Sequence, residues 1–163
     1  MTSLQERLEA GKFVVTTEME PPKGTDLTAF LSTAALLKGK VHAVNVTDNQ
    51  RAIMRLSSVG GASVLAREGL EPILQLTCRD RNRIALQSDL LSAAASRIRN
   101  LLMLRGDDPS AGDQPDAMPV SDLDPRSLLE TPRRLRDSGE LPSGRKVSGR
   151  IDFFLGSADN PID

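Results

Sequence analysis

The feature that most constrains this chain is a repeat in its hydrophobic pattern. Four strand-length apolar runs, centred near residues 15, 44, 74 and 102, recur about every 30 residues with a helix-length segment between successive runs. That spacing is what a strand, a short loop, a helix and a second short loop occupy, and strands joined through a helix run parallel. The chain therefore reads as α/β with a parallel sheet.

Residues 3–10 (SLQERLEA) predict a short amphipathic helix stopped by Gly11, and KFVVTTEM has the β-branched content of a buried strand. After the turn PPKGT, Thr25 or Asp26 can cap a helix through Leu27, Phe30, Leu31, Ala34 and Leu37 that Gly39 ends. The unit recurs as HAVNVT with a helix from about Gln50 to Glu68, and as EPILQLT with a helix from about Asn82 to Arg97; NLLML follows as a fourth strand. Residues 105–124 (RGDDPSAGDQPDAMPVSDLD) are too polar for an element and read as a long active-site loop. A helix from about Pro125 to Asp137, a flexible linker over 138–150 and a fifth strand, IDFFLG, complete the pattern.

No Gly-rich phosphate fingerprint follows the first strand, which favours a (β/α) barrel over a dinucleotide-binding sheet. Eight βα units usually need about 250 residues, whereas 163 residues hold four complete units and a fifth strand. The expected fold is a TIM-type (β/α) barrel of which residues 1–163 form the N-terminal half, a partial barrel with two unpaired edges.

Composition narrows the function classes. The 21 basic and 22 acidic residues nearly cancel without a dense Lys/Arg cluster, so no nucleic-acid partner is expected. The longest apolar runs are strand-length, which predicts no membrane span, no signal segment and a cytoplasmic location. A single cysteine, Cys78, and a single histidine, His42, exclude a disulfide framework and a Cys/His zinc cluster, and no metal is expected. With four Phe and no Tyr or Trp, any stacking platform must be aliphatic or Phe-based.

In a βα barrel, reactive groups stand just beyond the C-terminal ends of the strands. That filter selects Glu18 and Glu20, then Thr47, Asp48 and Asn49, then Cys78 and Arg79, then Arg105, Gly106, Asp107 and Asp108. Gln75 shares a strand face with Thr77 and points inward if the alternation holds. Carboxylates after strands one and four would converge across the mouth, one able to donate a proton while the other orients substrate. Plainer readings stand beside these. Glu18 or Glu20 is equally readable as a solvated loop acid, and Asp107 and Asp108 as turn or N-cap residues. Arg79, Arg81 and Arg83 suit salt bridges more than a phosphate clamp; CRDRN suits a helix cap, His42 a structural role and Cys78 a small packed residue.

The motifs EMEPPKG, VNVTDN, QLTCRDRN and LRGD, in this order and spacing, resemble methylenetetrahydrofolate reductases. The likeness continues through GDQPDAMPVSDLD to FFLGSADNP, and TCRDRN followed by LQSDLL is most similar to the acetogen-type enzymes and to the reductase half of two-domain homocysteine methyltransferase/reductase proteins. The resemblance implies a flavin-containing βα barrel, with FAD or possibly FMN, that reduces 5,10-methylenetetrahydrofolate to 5-methyltetrahydrofolate using NADH, NADPH or another donor. It implies Glu18 as the general acid at the folate bridge nitrogen, kept protonated by an apolar mouth. It places Asp107 near flavin and pterin, puts Thr47, Gln75 and Arg105 in contact with the flavin, and gives Val120 a backbone contact to it. Gln75 stands where many relatives have histidine, and no tyrosine is available for the flavin ring. The family's later strands lie beyond the fifth, so activity is expected to require a homo-oligomer or a complementing chain; the alternative is a truncated, non-catalytic fragment or interaction subunit.

Overall fold

The computed structural model describes residues 3–158. Five strands form one sheet: β1 Thr16–Met19, β2 Ala43–Val46, β3 Pro72–Thr77, β4 Asn100–Leu104 and β5 Phe154–Ser157. The helices are α1 Leu4–Glu9, α2 Thr28–Leu37, α3 Ser58–Arg67, α4 Arg83–Ala95 and α5 Pro125–Ser138. Strand order equals chain order and every neighbouring pair is parallel. This is the βα succession of a barrel, but β1 and β5 each have one neighbour and the sheet stays open.

One face of the sheet supplies most of the core. Val44, Val46, Leu74, Leu76, Leu101 and Met103 pack in one cluster with Ala34, Leu65, Leu86, Leu90, Leu128 and Leu135 from the helices, each almost wholly buried. Burying one such leucine contributes roughly 1.5–3 kcal/mol, so this layer dominates the stability. Alternation sends Glu18, Asn45, Gln75, Leu102 and Gly156 to the other face, where Glu18 pairs in register with Asn45 and Leu102 with both Gln75 and Gly156.

The helix caps are local. Ser3 and Glu6 form a reciprocal capping box on α1, Asn82 accepts the Ile84 and Ala85 N–H groups at 3.1 Å, and Asp124 and Ser127 cap α5. Asp26 accepts the Thr28 N–H at 2.9 Å and so serves α2 from one residue before the N-cap position, which Leu27 occupies.

Several elements differ from expectation. The first strand starts at Thr16, not at Lys12, leaving Phe13 85% and Val15 40% exposed. Its ladder begins where β2 begins, with Thr16 opposite Ala43, and before that the His42 ring accepts the Val15 N–H at 2.9 Å in place of a strand partner. The helix expected from Gln50 begins only at Ser58, capped by Ser57. Ahead of it lie a single 3-10 turn, Gln50–Ala52, and left-handed backbone at Asn49, Arg51 and Ala52. Residues 139–147 close a tight hairpin, with Leu141 N–H on Arg145 O at 2.8 Å and Val147 N–H on Gly139 O at 2.9 Å. The last three residues of FFLGSADNP lie outside the described residues.

Candidate active site

The mouth at the C-terminal strand ends is assembled by hydrogen bonds between loops. Glu18 comes from β1 and Gln75 from β3, across the intervening β2, and the Gln75 carboxamide donates to Glu18 Oε2 at 3.4 Å. Gln75 is buried, as the inward reading of β3 requires, while Glu18 remains exposed on the open face. The apolar enclosure expected around Glu18 is therefore not provided by the described residues, because no strand beyond β1 covers that side of it. Glu20, next on the loop, is paired with Arg55 at 2.5 Å.

Thr47 and Asp48 follow β2 and are both buried. Asp48 is the anchor of this end of the sheet: it accepts the Thr77 N–H at 2.8 Å, the Thr77 hydroxyl at 3.0 Å and the Ser58 hydroxyl at 3.2 Å, and pairs with Arg81. A polar group buried this deeply is costly unless it is hydrogen-bonded, and these donors satisfy it. Thr47 differs, since its hydroxyl oxygen is buried without a hydrogen-bond partner among the described residues. Such a hydroxyl can hydrogen-bond a polar ligand atom.

Arg79 ties three loops together. Only 4% exposed, it donates to both oxygens of Asp80 at 2.5 and 2.7 Å, to Asp107 O at 3.1 Å and to Asn49 O at 3.2 Å. The Asp80 hydrogen bonds raise the Arg79 pKa. Burial works to raise that of Asp80, yet the Arg79 hydrogen bonds and charge outweigh it and hold the carboxyl below its usual value. Of the other two arginines of this loop, Arg81 pairs with Asp48 and Asp89, and Arg83 with Asp122 at 2.7 Å. All three thus form salt bridges.

Asp107 accepts the Arg51 N–H at 2.6 Å through Oδ2, which fastens the loop after β2 to the loop after β4. Its neighbour Asp108 is an N-cap, accepting the Ser110 N–H at 2.9 Å, an interaction that lowers its pKa. Val120 donates its N–H to Arg79 O at 2.7 Å, so a backbone contact to a ligand falls to its carbonyl. Arg105 is exposed and makes no ion pair among the described residues. It lines a cleft of about 570 Å³ with Cys78, Gly106, Asp107 and part of the 105–124 loop. Cys78 is 2% exposed and burial pushes its thiol up to about 11, which suits a packed residue and not a nucleophile.

The sequence reading did not find the partners of this network. Asp48 as anchor, Arg79 as clamp and the Arg51 N–H on Asp107 join residues 28 to 56 apart. The alternation of Arg with Asp in CRDRN was the available signal, but it does not say which pairs form.

A family model described as methylenetetrahydrofolate reductase matches residues 3–138. The chain belongs to the methylenetetrahydrofolate reductase family. A comparison with curated proteins returns no match. The open five-stranded sheet is accordingly part of the TIM-type barrel of this family.

Methylenetetrahydrofolate reductases are generally flavin-dependent, and the residues present fit such a group. The orphaned Thr47 hydroxyl and the Gln75 carboxamide offer hydrogen bonds at the mouth. The loops directly after β1, β2, β3 and β4 contain no aromatic residue. Among the described residues no helix is long and apolar enough to cross a membrane.

Proposed function

We propose that this site serves the reduction of 5,10-methylenetetrahydrofolate to 5-methyltetrahydrofolate, a step of one-carbon metabolism placed in the cytoplasm. The reading takes FAD, or alternatively FMN, as the cofactor and NADH or NADPH as electron donor. The observation that carries it is the contact of Glu18 with Gln75 at 3.4 Å, at the mouth of a parallel sheet that also presents the unpartnered Thr47 hydroxyl. When bound, the flavin supplies hydride transfer.

The chain's own residues do the rest. Thr47 and Gln75 would hold the ring system by hydrogen bonds, Arg105 would contribute positive charge at the lip, and the Val120 carbonyl would accept from it. Glu18 would give its proton to the folate bridge nitrogen, which opens the five-membered ring to an electrophilic iminium, while the Gln75 amide steadies the carboxylate that remains. Asp107 would orient the pterin, its own position fixed by Arg51 and Arg79. The proposed acid role needs desolvation of the Glu18 carboxyl. A second copy of the chain or a complementing chain covering the open face would provide it.

The exposure of Glu18 and the two open sheet edges favour a second reading, a non-catalytic interaction subunit that retains the fold. The visible absorption spectrum of the purified chain after gel filtration, with released flavin identified chromatographically, separates the two. A stoichiometric flavin band supports the catalytic reading; a colourless protein that neither FAD nor FMN reconstitutes supports the second. In flavin-loaded protein, Glu18→Gln is expected to keep flavin reduction by the donor and to lower folate turnover roughly 100-fold or more. Equal retention of both activities would remove Glu18 from the acid role.

A further inference from the structure

A cavity of about 720 Å³ lies at the end of the sheet opposite the candidate active site, beneath the starts of β2 and β3. Five cations line it, Arg7, Lys38, Lys40, Arg67 and Arg97, against the single carboxylate of Glu71. Glu71 is already engaged, accepting the Leu4 N–H and the Asn100 side-chain amide, each at 3.0 Å. Lys38 is paired with Glu68 at 3.1 Å. The other four cations make no ion pair among the described residues. The last turns or C-caps of four helices, α1 to α4, contribute to it, and each C-terminus carries roughly half a negative charge that basic residues offset. Four unpaired cations exceed that requirement, in a chain whose total charges nearly cancel.

A second observation comes from the backbone. The turns closing α1, α3 and α4 have the same form: Gly11 bonds Leu8 O and Lys12 bonds Arg7 O; Gly69 bonds Ala66 O and Leu70 bonds Leu65 O; Arg97 bonds Ala94 O and Ile98 bonds Ala93 O. The left-handed residue is glycine in the first two, and in the third it is Arg97, with φ 60°. L-residues with a Cβ adopt that conformation at a cost. Here it sets a guanidinium between this cavity and a second one that holds Arg99 and Arg150.

We infer that the cavity binds a small organic diphosphate, with its phosphates against Arg67, Arg97 and Lys40 and its organic part over Leu70 and Pro72. Guanidinium groups match phosphate oxygens in a two-pronged geometry, and a volume of this size is typical of small-molecule sites. The inference stands apart from the proposed reductase activity, because the two sites lie at opposite strand ends.

Isothermal titration of the purified chain with ADP, at low and at physiological salt, tests it. Saturable binding that weakens with salt is expected, and Arg97→Gly should weaken it about tenfold through loss of one charge-assisted contact. Because glycine suits the left-handed turn, the variant should melt at the same or a higher temperature, which separates lost binding from lost fold. No saturable binding of ADP, or an affinity that Arg97→Gly leaves unchanged, overturns the assignment.

Discussion

Asp122 sits on the 105–124 loop, where Arg83 donates to it from its side chain at 2.7 and 2.8 Å and from its backbone at 2.9 Å. These bonds lower its carboxyl from the ordinary 3.8 to about 2. A folded-state pKa below the unfolded one stabilises the fold above the unfolded value, and that stabilisation is lost as pH falls through the folded value. The Arg83 tether is therefore expected to hold at pH 4 and above and to release toward pH 2. Carbon-detected NMR should give an Asp122 midpoint near 2 that returns toward 3.8 in Arg83→Gln; an ordinary midpoint in the parent protein would show that the tether does not persist in solution. Cys78, buried and with its thiol up to about 11, should resist alkylation in the native state at pH 8 and react at once in denaturant. Rapid native labelling would mean that the loop after β4 opens readily. Asp48→Ala leaves Arg81 and the Thr77 amide without their buried partner and is expected to cost about 3–5 kcal/mol, read from the shift of the urea midpoint.

At the level of elements, the loop over residues 105–124 is fastened at intervals by acids that accept backbone N–H groups. Asp107 takes Arg51 and Asp113 takes Met54 at 2.9 Å, while Asp113 also meets Lys23 at 3.2 Å. Between these anchors Gly112 lies so close to the loop after β2 that an added Cβ would stand 1.9 Å from Ala52 O. Gly112→Ala is thus expected to undock the loop while leaving the helices intact. Faster proteolysis within 105–124 with unchanged far-ultraviolet circular dichroism is the signature, and unchanged proteolysis would show that the close approach is dispensable. These anchors also explain why a helix from Gln50 was the wrong reading. The local pattern of residues 50–57 permits a helix, but their N–H groups are taken by Asp107, Asp113 and Asn49, partners that sequence periodicity does not show.

For the molecule as a whole, the open sheet sets the expectation. β1 and β5 are unpaired edges, and the face carrying Ile73, Leu102, Leu104 and Phe154 is only partly buried. Exposed edges and apolar faces favour association. Light scattering coupled to gel filtration should give a mass above the 17.6 kDa of one chain, and a monodisperse monomer would argue against self-association as the means of covering Glu18. The order of strands and helices, the Asp26 bond at the start of α2, the cap that CRDRN supplies through Asn82, and the strand-end setting of the candidate residues were legible in the sequence. They depend on periodicity and on hydrogen bonds within a few residues, which the local sequence specifies. What only the tertiary structure decided is which strand-end groups meet: Gln75 with Glu18, Asp48 with Thr77 and Arg81, Arg79 with the backbone of Asp107, and Thr47 with no partner. Those contacts depend on the register between parallel strands about 30 residues apart and on side-chain reach across loops. Neither leaves a periodic mark in the chain.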